Sequence, residues 1–170
     1  MSGQIEVRPV RAEEYTAAGQ ATANAYREFI PPGVTVWHAY LELIADVAGR
    51  AGKTTVLVAL VDGAIAGTAT VELDQRVEPA WRDPVASDQA HLRMLGVDPA
   101  YRRRGVARAL MQAVIELARA HNRTRLTLET TPQMLAAQRM YESMGFEARG
   151  REAFEGMHLL NYELRLPARC

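Results

Sequence analysis

With 170 residues, 48% of them hydrophobic, the chain has the length of one domain with one buried core. Its 20 Lys and Arg balance 20 Asp and Glu, which excludes the net positive field that concentrates nucleic acid or holds an anionic membrane surface. The only cysteine is Cys170, so an internal disulfide is excluded, and the uncharged run Thr54 to Val61 falls far short of the ~20 residues that span a bilayer. Met1 to Arg11 lacks the apolar stretch of a secretory signal. These readings predict one domain over residues 1–170, located in the cytoplasm, without nucleic-acid or membrane partners. Asn122-Arg123-Thr124 matches a glycosylation sequon but reads as a helix-to-strand turn.

In chain order, Ile5 and Val7 alternate with charged residues as a first strand, and Glu13 to Phe29 reads as a helix ending before Pro31-Pro32-Gly33. Val36, Tyr40, Leu43, Ile44 and Val47 recur at helical spacing, which predicts a second helix before the Gly49 to Gly52 stretch. Val56 to Val61 and Ile65 to Leu73 form a hairpin around Asp62-Gly63. Charges and prolines break every period from Asp74 to Asp88, a long loop, and His91 to Val97 resumes as strand. Val106, Leu110, Val114, Leu117 and Ala118 mark one face of an amphipathic helix over Gly105 to His121. Leu126 and Leu128 alternate as strand. Thr131 and Pro132 then read as cap and first position of a helix that carries Ala137, Met140, Tyr141 and Met144 and stops at Gly145. Phe146 to Phe154 and Met157 to Leu166 close the chain as strands around Glu155-Gly156. The order β-α-α-β-β-β-α-β-α-β-β predicts an α/β (α+β mixed) domain with a central, mostly antiparallel sheet of about six or seven strands and about four helices.

The segment from Leu95 to Ala107 has the pattern of a phosphate site. A strand ends at Leu95-Gly96-Val97-Asp98-Pro99, and Arg102-Arg103-Arg104-Gly105-Val106-Ala107 turns into the strongest helix of the chain. The first backbone N–H groups of a helix lack partners and the dipole there is positive, so a diphosphate can accept several hydrogen bonds at once. Gly105 lets such a ligand approach the main chain, and Arg102, Arg103 and Arg104 supply planar forks suited to phosphate oxygens. A solvated basic turn is the alternative; it would set three cations against the helix dipole without compensation.

Val97-x-Pro99-x-x-Arg102-x-x-Gly105-x-Ala107 resembles the acyl-CoA signature of the GNAT superfamily of N-acetyltransferases. Ala137-x-x-x-Tyr141-Glu142-x-x-Gly145-Phe146 is similar to that family's second conserved block. Motif matches are dense from His91 to Phe146, and the element order agrees over nearly the whole chain. The resemblance implies acetyl-CoA, or another acyl-CoA, as co-substrate, with no metal. It implies that Leu95, Gly96 and Val97 hold the pantetheine arm through their main chain and that Arg102 to Ala107, including Arg103, Arg104, Gly105 and Val106, meet the diphosphate. Tyr141 matches the family's general acid, which protonates the leaving thiolate, although its spacing also suits plain packing beside Ala137 and Met144. Met134 stands where many members carry an Asn that contacts the pantetheine. His91 stands where many carry a Glu general base, and a neutral imidazole is chemically suited to that work; a hydrogen-bonded strand-edge histidine is the equal alternative.

The resemblance points to Phe29 to Trp37 and Glu155 to His158 for the amine acceptor. Phe29, Trp37 and Trp81 are candidate apolar walls, and Glu72, Asp74 and Glu155 candidate partners for a cationic amine; each is as well explained by core or surface. Gly52-Lys53-Thr54 imitates the end of a nucleotide-binding loop but leads from helix into strand, the reverse of what that loop requires. The expected function is therefore acyl transfer to the amine of a small molecule or protein, with a non-catalytic acyl-CoA-binding regulatory domain as rival. A homodimer through the alternating C-terminal strand is a further expectation, to which pairing within one monomer is the alternative.

Overall fold

A computed structural model describes residues 3–30, 33, 35–77, 83–154 and 157–168. The strands are β1 (Ile5–Pro9), β2 (Thr55–Val61), β3 (Ala64–Glu72), β4 (Gln89–Val97), β5 (Arg125–Thr130), β6 (Glu147–Phe154) and β7 (Met157–Arg165). The helices are α1 (Tyr15–Tyr26), α2 (Thr35–Ala45), α3 (Val47–Ala51), α4 (Val106–Ala120) and α5 (Leu135–Ser143). All seven strands form one sheet in the order β1-β2-β3-β4-β5-β7-β6, antiparallel except for the β4–β5 pair. β7 lies between β5 and β6, so its alternation is accounted for by pairing within the chain. No helix among the described residues is long and apolar enough to cross a membrane.

Strand alternation assigns the two faces. Leu57, Ala59, Ala90, Leu92, Leu126 and Leu128 turn toward α4, whose Val106, Leu110, Met111 and Val114 complete the main core. The opposite face carries Val56, Val58 and Leu60, which pack with Ala18 of α1 and Val47 of α3. Polar residues interrupt that second face: the Thr22 and Thr68 hydroxyls meet at 2.5 Å, and Arg50 Nε donates to Thr70 Oγ1 at 3.0 Å.

The hairpin turn forms as its sequence predicts, with Asp62 at φ 50° and Gly63 at φ 83°. Asn122, at φ 56°, ends α4, and the N–H of Arg123 returns to the Ala118 carbonyl at 3.0 Å, the helix-to-strand turn read from the sequon. Two elements differ from expectation. α5 starts at Leu135 with Met134 as N-cap, because Thr131 to Met134 first close a turn through Met134 N–H to Thr131 C=O at 3.1 Å. The stretch around Gly49 is helical, since the Asp46 carboxylate caps α3 by accepting from the Gly49 N–H at 2.9 Å. Gly19 sets the approach of α1 to α2: a Cβ there would run into the Ala45 carbonyl oxygen. Gly19→Ala is expected to destabilise the protein by about 1–3 kcal/mol through forced separation of the helices, read as a lower urea midpoint; an unchanged midpoint would show that α2 yields freely.

Candidate active site

β4 and β5 part halfway along their length. Their register runs from Gln89↔Arg125 to Leu92↔Leu128 and stops there, although β4 continues to Val97. A bulge marks the same place: Thr68 pairs with Gly96 and Thr70 with Arg93, so Met94 and Leu95 together oppose Ala69, and Met94 takes φ 54°. Main chain around Leu95, Gly96 and Val97 therefore keeps β3 on one side and borders a gap on the other, an edge to which an extended ligand arm can add. Gly96 is required here by packing, as a Cβ would lie 2.7 Å from the Ala25 Cβ and 3.3 Å from the Tyr26 ring.

The gap leads to the start of α4. Gly105 is the N-cap at φ 82°, and no side chain caps the helix. Arg103, at φ 63°, is likewise left-handed, an uncommon state for a residue with a side chain. Gly105 is exposed and a Cβ on it would reach only Ile5 Cδ1, 4.0 Å away, so the helix end is open to a ligand. Uncapped N–H groups, an open approach and flanking guanidinium groups fit a diphosphate. The three arginines are not equivalent. Arg102 is tied to the Glu28 carboxylate and donates to the Ala25 carbonyl at 3.3 Å, so its side chain anchors the end of α1. Asn24 reinforces that anchor by donating to Asp98 Oδ2 at 2.8 Å. Arg104 lies over the Tyr101 ring, 5.6 Å from its centre, and Arg103 and Arg104 are both exposed.

Tyr141 packs on the α4 side of the sheet, and His91, between the α4-facing Ala90 and Leu92, points to the other side. Tyr141 is buried in the α4 face, its ring 5.7 Å from that of Phe146 and 6.0 Å from that of Tyr162. Burial pushes its phenol above the ordinary range, so the hydroxyl holds its proton at any working pH. Ala137 packs against the same core one turn earlier, and the Met134 sulfur accepts from Thr130 Oγ1 at 3.5 Å. Tyr26, to which sequence reasoning assigned no role, reaches the gap from α1 and donates to the Leu95 carbonyl at 3.0 Å. Burial, together with the neighbouring Tyr40 and Tyr141, pushes the Tyr26 phenol upward too.

His91 is 4% exposed and sits opposite Glu72 on β3 and Thr127 on β5. Its Nδ1 is 2.7 Å from Thr127 Oγ1, which also accepts from Gln89 Nε2 at 2.7 Å. Glu72, fully buried, accepts from the Val77 N–H at 2.5 Å and from Arg76 Nη1 at 3.3 Å, so it is engaged in structure at the start of the long loop. Asp74 is exposed and bonded to Arg123 at 2.8 Å. His91 lines a cleft of about 170 Å³ whose walls include Arg76, Gln89, Glu129, Arg149 and Glu163. Phe29, 38% exposed, and Trp37, set edge-on to Tyr40, are not among the residues of that cleft. Glu155 and Trp81 lie outside the described residues. The cleft's charged residues come from four separate segments, so no local spacing reveals them.

Comparison with known proteins agrees with this architecture. Residues 12–146 match the model of the acetyltransferase (GNAT) family. Among curated proteins, N-acetylaspartate synthetase of Rattus norvegicus is 31% identical over 93 residues, 55% of this chain and 28% of the rat protein. N-acetyltransferase 8 of Homo sapiens is 32% identical over 80 residues, 44% of this chain and 35% of the human protein. The matched region thus spans only about a third or less of these relatives. The fold is shared with the ribosomal-protein-S18-alanine N-acetyltransferase of Escherichia coli, at TM-score 0.70 and 20% identity over 98% of this chain and 96% of that one. A Salmonella typhimurium protein solved with its cofactor acetyl-CoA superposes at TM-score 0.65 and 18% identity, covering 97% of this chain and 95% of its own. With the family model matched over residues 12–146 and the overall fold shared with these structures, the chain belongs to the GNAT acetyltransferase family.

Proposed function

We propose that the protein is an acyl-CoA-dependent N-acyltransferase that passes acetyl from acetyl-CoA to a primary amine. The observation that carries this reading is the parting of β4 and β5 after Leu92↔Leu128, with the uncapped, exposed start of α4 following the unpaired end of β4. Acetyl-CoA supplies an activated thioester. Main chain from Leu95 to Val97 would align its arm, and the N–H groups from Arg103 to Ala107, with Arg104, would hold its diphosphate. Met134 offers no amide to the arm, so the arm itself would be held by main chain.

The amine nitrogen attacks the thioester carbonyl carbon, an N–C bond forms and the C–S bond breaks. Tyr141 donates its hydroxyl proton to the departing thiolate. Burial disfavours a phenolate as much as a thiolate, so the transfer is assigned to the moment the C–S bond breaks, when the sulfur is most basic, and the phenol regains its proton from solvent once CoA has left. The proton lost by the amine goes to His91. If the Thr127 hydroxyl turns to the Ala90 carbonyl, 3.5 Å away, it must accept from Nδ1–H, which leaves Nε2 with its lone pair.

Titration with acetyl-CoA and CoA, followed by amine-dependent thiol release, tests the reading. Micromolar binding with turnover is the expected result. Binding without turnover on any amine would favour a regulatory acyl-CoA-binding domain, and absence of binding would overturn both.

A further inference from the structure

We infer that the acceptor is a small amino carboxylate, a free amino acid or a molecule of that size, held in the cleft that His91 lines. The inference rests on the acyltransferase reading and adds the substrate class. The cleft, at about 170 Å³, is smaller than the roughly 300–1,000 Å³ common among ligand pockets, so it admits at most a small molecule. Its charged lining is balanced, with Arg76 and Arg149 against Glu129 and Glu163. A polyamine would be served by a net negative wall and a phosphorylated acceptor by a net positive one; a wall of both signs suits a ligand that carries both.

The placement of these charges follows the strands. Glu129 is the first residue of β5 beyond the last β4–β5 pair, so its carboxylate belongs to the mouth of the gap, near His91, where the reacting amine must arrive. Asn161 of β7 sits opposite Glu129, and Arg149 lies at the bulge of β6 beside Asn161's other partner, Gly150. Arg149 is rooted two strands, roughly 10 Å, from Glu129, and its long side chain reaches back over β7 to Glu163, so a short amino carboxylate would meet its guanidinium there and not at the β6 backbone. Its present partners compete weakly. Arg149 Nη2 is 3.1 Å from the exposed Glu147, a pair that contributes little, and 3.6 Å from the less exposed Glu163, a long contact. Arg76 is held from behind by the buried Glu72 carboxylate, which fixes its guanidinium at the cleft wall.

The test measures thiol release at saturating acetyl-CoA with the common L-amino acids, the carboxamide and the decarboxylated amine of the best one, and a linear diamine. The expected kcat/KM for the amino acid exceeds that for its carboxamide by about 10–100-fold, the range of a charge-assisted hydrogen bond. Arg149→Gln is expected to bring that ratio close to one without changing acetyl-CoA affinity. A carboxamide or diamine used as well as the amino acid, or a ratio that survives in Arg149→Gln, would overturn the inference. Should no amine turn over, calorimetry of the CoA-bound protein decides: amino-acid binding that Arg149→Gln abolishes supports it, and no binding overturns it. Failure to bind acetyl-CoA is read separately, as failure of the acyltransferase reading itself.

Discussion

Tyr141→Phe is expected to lower kcat by about 10²–10³-fold, within the range for loss of a general acid, with the Kd for acetyl-CoA nearly unchanged. The substitution removes one oxygen and leaves the ring, whose contacts with Phe146 and Tyr162 do not require the hydroxyl. Among the described residues the Tyr141 hydroxyl has no hydrogen-bond partner to lose, so stability should change by less than about 0.5 kcal/mol. Single-turnover thiol release isolates the step. A rate that persists in Tyr141→Phe would assign Tyr141 to packing, and a large loss of stability would show an unrecognised role for its oxygen. The raised phenol also gives a pH signature: the group stays protonated through neutrality, so activity limited by Tyr141 should not fall between pH 7 and 9 on its account.

What the sequence makes legible is what local chemistry dictates. α4 is readable because its apolar residues recur over four turns and its N-terminus coincides with Gly105, whose φ of 82° suits glycine. α3 is not readable from Gly49 and Gly52, the usual marks of a loop; a Cβ at Gly49 would displace the Asp46 carboxylate from its cap. The start of α5 is displaced because Thr131-Pro132 serves a turn as well as a helix, and only tertiary context chooses; Gln138 Nε2 holds that turn through the Thr131 and Pro132 carbonyls at 3.0 and 3.2 Å.

The candidate site divides along the same line. Its cofactor half is written in consecutive residues, since backbone N–H groups at one helix start make it. The cleft proposed for the acceptor is assembled from β4, β5, β6, β7 and the loop after β3, at positions that carry no mutual spacing. Phe29 and Trp37, expected at an apolar acceptor wall, do not line the cleft beside His91, whose lining is mostly polar and charged. Arg102 shows a similar limit: within the motif it reads as a phosphate ligand, and only the approach of α1 reveals its bond to Glu28.

Arg104→Glu combined with Gly105→Asp is expected to weaken acetyl-CoA binding by about 10²–10³-fold. Loss of one charge-assisted bond removes roughly 1.5–3 kcal/mol, a carboxylate facing the diphosphate adds repulsion, and each 1.4 kcal/mol is about tenfold. Effects on the helix oppose each other. A non-glycine residue at the left-handed Gly105 costs about 1–2 kcal/mol, while acidic groups at a helix start are favourable for the dipole. The apo protein should therefore remain folded with a modest change in Tm while binding is lost, and this divergence separates a ligand site from a structural turn. Gly105→Ala isolates the backbone contribution, because a methyl group there meets only Ile5 Cδ1 at ordinary contact distance. Ionic strength gives an independent reading: binding through the Arg103 and Arg104 charges should weaken with salt. Equal affinity in the double variant and the parent would place the diphosphate elsewhere and leave the open start of α4 without its ligand.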